Sequence, residues 1–181
     1  MVFYCSFVDD SPMSWFAANK HCKKQGGMLV EIDSEEENTA LVEVINKRGY
    51  TNRNVNFWIG LTDLQTEGDW KLASDYSKPS YLNWHEGEPN NGGGSLGNED
   101  CARIRIGPEP SWNNTWSDTS CDAETVQNWN HNQSRYHPAF SLHALCEFGS
   151  STESPSTEGT TTEGALAKSL PNDPTHKFTQ I

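Results

Sequence analysis

The chain has 181 residues, of which 34% are hydrophobic; the length suits one domain of roughly 100–200 residues, and the apolar share falls below the roughly 45–50% of an average soluble domain. These values argue against several domains and leave part of the chain outside a packed core. Lys and Arg number 13 against 25 Asp and Glu, a formal net charge of -12, which speaks against nucleic acid or an anionic membrane surface as main partner and leaves room for a hard cation.

Met1 to Val8 is too short for a signal-peptide core, has no basic flank, and is followed by Asp9 and Asp10. If the protein is extracellular, its targeting segment is expected upstream of Met1. Ser14 can cap a helix from Trp15 to about Lys24, with Trp15, Ala18 and Cys22 on one face and Gly26-Gly27 ending it. Met28 to Ile32 reads as a short strand. Ser34-Glu35-Glu36-Glu37 is a capping box for a second helix, whose inner stripe is Asn38, Leu41, Val42 and Ile45. Phe57 to Leu61 reads as a buried strand. Strands return at Cys101 to Ile106 and around Leu142 to Phe148. Two helices, then strands and one long irregular region, give an α+β class. No run approaches the roughly 18 apolar residues of a membrane-spanning helix. From Gly149 to Ile181 the chain is rich in Ser, Thr, Glu, Gly and Pro. Such a segment cannot bury enough apolar surface to offset its ordering entropy. It reads as a stalk or as a tail without a role, and residues 1–148 as the domain.

The irregular stretch of about forty residues, from Thr62 to Asp100, is longer than a compact domain usually tolerates without support. It carries Asp63, Glu67, Asp69, Asp75, Glu86, Glu88, Glu99 and Asp100, with Asn83, Asn90, Asn91 and Asn98 as neutral oxygen donors. Calcium takes about six to eight oxygen ligands from carboxylates, amides and main-chain carbonyls, so bound metal is one way to hold this stretch. A solvated acidic loop is the other reading. No EF-hand frame is present.

The five cysteines, Cys5, Cys22, Cys101, Cys121 and Cys146, form no CxxC pair and no zinc-finger cluster. Scattered in an acidic domain with seven Trp, they read as a disulfide framework of an extracellular protein. Their spacing alone leaves the pairing open. Sequons at Asn113 and Asn132 are compatible with secretion.

The ordered set Trp58-Ile59-Gly60-Leu61, Glu67-Gly68-Asp69-Trp70, Trp84, Glu88-Pro89-Asn90, Asn98-Glu99-Asp100-Cys101, Trp116-Ser117-Asp118 and Cys146-Glu147 resembles the C-type lectin-like domain, from Tyr4 to Phe148. The resemblance implies two helices with two small antiparallel sheets and a long calcium-binding loop region. It also implies bridges Cys22–Cys146 and Cys101–Cys121. Cys5 then stands where long-form members pair with an upstream cysteine, so the chain reads as lacking its true N-terminus; a free thiol or an inter-chain bridge is the alternative.

In sugar-binding members one calcium is held by the ends of E-P-N, a later Glu and the last two residues of W-N-D. By position the resemblance assigns this role to Glu88, Asn90, Glu99 and Asp118, with Ser117 in the Asn place. Two vicinal sugar hydroxyls would complete the ion's shell while the carboxylates accept and the Asn90 amide donates hydrogen bonds. The order Glu-Pro-Asn implies equatorial hydroxyls of the mannose, glucose, N-acetylglucosamine and fucose type, and Pro89 is cis in the family. Glu88, Asn90, Glu99 and Asp118 are thus the expected carbohydrate contacts. Asp63, Glu67, Asn91, Glu99 and Asp100 match a second Ca2+ site, with Asn91 where the best-known members have Asp.

Three features depart from the pattern. Ser117 is shorter than Asn, so a water, Asn113 or Asn114 is the alternative ligand. Gly92-Gly93-Gly94 lengthens the loop before Glu99. Asp122 to Leu145 puts far more chain between the last two cysteines than the family's usual eight or so residues. That insertion holds Trp129, His131, Tyr136, His137 and His143. Its histidines could bind zinc or sense pH, but loop packing is the plainer reading; Trp129 or Tyr136 could stack on a sugar. Catalysis is disfavoured, because the carboxylates match calcium ligands and no apolar pocket can be read that would raise an acid's pKa. The reading is a non-enzymatic, calcium-dependent lectin of glycans on glycoproteins or microbial surfaces. The rival is the same fold binding a protein or other non-sugar ligand without calcium.

Overall fold

A computed structural model describes residues 6–8, 11–50, 55–92, 98–107, 114–123, 125–126 and 140–149. Cys5, Gly93, Gly94, both sequon asparagines, Trp129, His131, Tyr136, His137 and the segment 150–181 lie outside the described residues.

The elements run β1 (Ser6–Val8), α1 (Trp15–Lys24), β2 (Met28–Leu29), α2 (Glu35–Ile45), β3 (Val55–Thr62), β4 (Lys71–Leu72), β5 (Cys101–Ile106), β6 (Trp116–Thr119), β7 (Thr125–Val126) and β8 (Phe140–Glu147). Both helices begin at their expected caps. Ser14 Oγ accepts from the Ala17 amide at 3.3 Å, and Ser34 Oγ from the Glu37 amide at 3.2 Å. The return arm of the second box lands one residue early: the Asp33 amide donates to Glu37 Oε2 at 2.7 Å. Gly26 ends α1 with a φ of 82° that suits glycine.

The strands form two antiparallel groups. One gathers β1, β2 and β7 on β8; the other runs β4-β3-β5-β6. Parallel pairing of β3 with β8, Asn56 to Leu142 through Trp58 to Ala144, joins them into one mixed sheet instead of two separate ones. β3 is buried along its whole length, as its near-continuous apolar run requires. Leu41, Val42 and Ile45 of α2 join Phe57, Ile59, Leu61, Ile104 and Ile106 in one core cluster. Trp15, Ala18 and Cys22 of α1 join Trp58, Leu142 and Ala144 in the other. Two indoles are also anchored through their N–H, Trp15 to the Ile59 carbonyl at 3.0 Å and Trp58 to the Met13 carbonyl at 2.7 Å.

The strand expected over Met28 to Ile32 stops at Leu29. The Val30 amide still donates to the Leu145 carbonyl, but its own carbonyl accepts from Gly60 at 2.7 Å. That approach leaves no room at position 60 for a Cβ, which would meet Leu29 O at 2.9 Å and Glu31 Cγ at 2.7 Å. Bonds link Cys22 to Cys146 and Cys101 to Cys121, closing separations of 124 and 20 residues.

At the end of β8 burial, then the neighbouring Glu31, pushes the Glu147 carboxyl up to about 7; Glu37 and Asp33 add to the effect and a hydrogen bond at Glu31 opposes it. A raised folded pKa means stability is full below the unfolded value of about 4.5 and is lost as pH rises through about 7. Glu147→Gln is therefore expected to stabilise the calcium-free chain at pH 8 by about 1–2 kcal/mol, the linkage value reduced for solvent screening at a half-exposed site. The gain should vanish near pH 4.5. Melting curves at the two pH values check this; an equal shift at both would assign the effect to packing.

Candidate functional site

The long region between β3 and β5 is anchored by aromatic side chains, a support additional to the bound metal that the sequence offered as one way to hold it. Trp70, Trp84 and Trp116 meet edge to face, with ring centroids 4.7 and 6.1 Å apart along the series, and Tyr81 meets Trp116 at 5.6 Å. Trp84 bridges to Trp116 of β6, and the main chains of Asn83 and His85 bond to Trp116 at 2.8 Å on both sides. Trp116 Nε1 donates to the buried Asn38 of α2 at 3.0 Å, and the amide groups of Asn38 and Asn83 both donate to the Asn114 carbonyl. β6 is thereby held from three directions, and Asp118 follows Trp116 by two residues.

Asp118 is 3% exposed. Its carboxylate accepts from the main-chain amides of Asn90, at 3.0 and 3.2 Å, and Asn91, at 2.7 Å. The Glu88–Pro89 bond is cis, and the Asn90 amide group donates to Glu88 Oε2 at 2.6 Å. Glu99 Oε2 accepts from Gly92 at 2.8 Å. So Glu88, Asn90, Glu99 and Asp118 are brought to one loop cluster against the end of β6. Burial, then the neighbouring Asp118, pushes the Glu88 carboxyl up to about 8, and Glu99 adds to this while Arg103 opposes it. Glu99 is also raised, by burial first and Asp118 next. Like-charged carboxylates crowded at a half-buried site fit a cation that would relieve them.

Ser117 differs from its neighbours. It is buried, stands opposite Arg103 in the β5–β6 register while Asp118 stands opposite Ala102, and takes no part in the hydrogen bonds of this cluster. Asn114, the alternative ligand, is fixed by its main chain to Arg105, Asn38 and Asn83.

The second set is also drawn together. The Asp63 amide donates to the Asp100 carbonyl at 3.1 Å, and Asp63 Oδ2 accepts from Gly68 at 2.8 Å. The Asn91 amide group donates to Glu67 Oε2 at 2.6 Å, and its oxygen accepts from Glu99 N at 2.8 Å. Asp63 is 2% exposed and its Oδ1 is buried with no hydrogen-bond partner. Burial is the main cause that lifts its carboxyl to about 6, with Glu67 and Asp100 adding. An orphaned carboxylate oxygen inside an all-oxygen set fits a hard cation such as calcium. Among the described residues no three His, Cys, Asp or Glu side chains form a metal-holding group by themselves; both sets depend on interleaved asparagines.

His143 lies on β8 against Phe57, ring centroids 6.1 Å apart, as a packed strand residue. Sequence reasoning missed two parts of the site. One is the indole cluster, whose signal was Trp70 and Trp84 in a region otherwise without apolar pattern. The other is Arg103, a cation on β5 behind the carboxylates.

The family model described as Lectin C-type domain matches residues 11–133. Over 125 residues the chain is 37% identical to a perlucin-like protein of Mytilus galloprovincialis, covering 67% of this chain and 72% of that protein. Over 121 residues it is 34% identical to the hepatic lectin of Gallus gallus, covering 66% of this chain and 51% of that protein, so it spans about half of that relative. Solved structures are similar as well. The mouse scavenger receptor C-type lectin carbohydrate-recognition domain aligns with a TM-score of 0.57 at 27% identity, over 79% of this chain and 87% of that one. The cow CD23 C-type carbohydrate-recognition domain, solved in the presence of a GlcNAc2Man3 oligosaccharide, aligns at 0.54 with 26% identity, over 80% and 84%.

Proposed function

Because the chain belongs to the C-type lectin domain family, we propose that it binds glycans through calcium held by Glu88, Asn90, Glu99 and Asp118, with no catalytic role. Members of this family are generally binding modules. The observation that carries the reading is the closure of Glu88-Pro89-Asn90 onto Asp118, which sets carboxylate acceptors beside an amide donor. Calcium would supply the electrostatic centre on which two vicinal hydroxyls sit. The chain's own residues would do the rest. Glu88 and Glu99 would accept hydrogen bonds from the hydroxyls, the Asn90 amide would donate to a hydroxyl oxygen, and Asp118 would hold the loop. The order of acceptor and donor supports equatorial hydroxyls of the mannose, glucose, N-acetylglucosamine or fucose type. Asp63, Glu67, Asn91, Glu99 and Asp100 would hold a second calcium that fixes the loop from behind.

Residues 1–148 serve in this reading as the recognition domain and 149–181 as a stalk. Two disulfides support an oxidising, extracellular compartment for the chain. No helix among the described residues is long and apolar enough to cross a membrane.

Exchanging donor and acceptor tests the reading. Glu88→Gln with Asn90→Asp keeps the site's charge and reverses its hydrogen-bond polarity. Preference should move from mannose toward galactose by about tenfold or more, the effect of one misplaced charged hydrogen bond of about 1.5–3 kcal/mol. Undiminished mannose binding by this variant, measured by calorimetry, would mean that sugar is bound elsewhere. Ser117→Asn offers a carbonyl of longer reach beside Asp118. It is expected to tighten calcium about tenfold from the ~10⁻⁴–10⁻³ M typical of extracellular modules. No change would show that the position opposite Arg103 lies out of reach of the ion.

A further inference from the structure

The carboxylate cluster carries a fixed positive charge of its own. Arg103 is half-buried in the middle of β5, directly across the ladder from Ser117 and one residue on from the partner of Asp118. Its Nη1 donates to the oxygen of Asn56, a fully buried side chain of β3. The β3–β5 register sets Asn56 against Arg105, two residues further from Cys101. The guanidinium is thus tied away from the carboxylates, and among the described residues neither Glu88, Glu99 nor Asp118 forms an ion pair with it within 4.0 Å. It nevertheless feels all three. Burial and Arg105 lower it to about 10 while Glu88, Glu99 and Asp118 pull the other way, so it stays charged at neutral pH. In the calcium-free chain Arg103 thus offsets part of the charge that Glu88, Glu99 and Asp118 would otherwise carry unopposed.

We propose that Arg103 is the residue that sets calcium affinity at this site, a tethered countercharge that steadies the calcium-free carboxylates and competes electrostatically with the ion. The inference rests on the reading of Glu88, Asn90, Glu99 and Asp118 as a calcium site. A positive charge held behind the ligands lowers their mutual repulsion when the ion is absent and repels the ion when it arrives. Both effects favour reversible loading over permanent occupancy. Asn56 makes this work by fixing the guanidinium on the Ser117 side of the ladder, the face opposite Asp118.

The test is titration of the full chain with calcium chloride, without sugar, by calorimetry. Melting curves in EDTA run alongside. Arg103→Gln removes the charge and keeps a donor for Asn56. It is expected to tighten calcium about three- to tenfold at low salt, to lose most of that gain near 1 M salt where screening is short-ranged, and to lower the calcium-free melting temperature. Arg103→Lys, which keeps the charge, should stay within about twofold of the parent. Should the Gln chain not fold, Arg103→Met with Asn56→Leu removes the charge together with the buried amide that it serves, and the same tightening is expected. Unchanged or weaker calcium binding in the uncharged variants overturns the inference alone. A parent chain that takes up no calcium overturns both it and the proposed function.

Discussion

Asp118→Asn is expected to weaken calcium and calcium-dependent sugar binding by about a hundredfold or more while leaving the calcium-free fold nearly as stable as before. The carboxylate is 3% exposed and accepts from two main-chain amides. An amide at that position keeps one accepting oxygen, so part of the loop closure survives. It also removes one of the crowded charges that raise Glu88 and Glu99, which offsets the lost hydrogen bond. The ion has no such compensation: removing one charge of a partly buried pair costs about 3–5 kcal/mol. Asp118→Ala differs in a telling way. It strips both acceptors, leaves the Asn90 and Asn91 amides to water, and should lower the melting temperature by several degrees as well. Equal calcium affinity in parent and Asp118→Asn, measured by calorimetry, would remove Asp118 from the ligand set.

The largest effect on stability is expected from the bridge between α1 and β8. Cys22–Cys146 closes a separation of 124 residues, and Cys101–Cys121 one of 20. On chain entropy these are worth about 5 and 3 kcal/mol, against a total of about 5–15 kcal/mol for a domain. Cys22→Ala with Cys146→Ala should therefore lower the melting temperature by about 10–20 °C. Cys101→Ala with Cys121→Ala should cost less stability and more binding. Cys101 adjoins Asp100 and Glu99 and pairs across the ladder with Thr119, next to Asp118. Denaturant melts of the two double variants, each with and without calcium, separate the roles. A smaller loss from the longer loop would contradict the entropic account.

How much of this was legible follows from how local each signal is. The helices were legible because Ser14 and Ser34 announce their starts within three residues, and their inner stripes repeat at helical spacing. β3 was legible as an apolar run. β6 was not, because Trp-Ser-Asp-Thr carries no alternation; its strand character comes from lying beside β5 and from the Trp84 bridge. The truncation of β2 depends on Gly60, thirty residues away, accepting the close approach of Val30. The aromatic part of the long loop's support was not legible for the same reason. A Trp in sequence does not say which Trp it will meet, and the Trp70–Trp84–Trp116 series exists only in three dimensions. At the site, the motif resemblance named Glu88, Asn90, Glu99 and Asp118, and the structure brings them to one cluster. Residue types alone could not reveal that Ser117 stands opposite Arg103, or that a guanidinium tied to Asn56 lies behind the carboxylates.

The measurement that bears most directly on the whole account is retention of the intact chain on mannose-agarose. The account predicts that the chain is held in millimolar calcium, released by EDTA, and displaced by free mannose but not by galactose at the same concentration. Passage through the column in calcium, or retention that EDTA leaves untouched, would contradict it and favour the same fold acting on a non-sugar ligand.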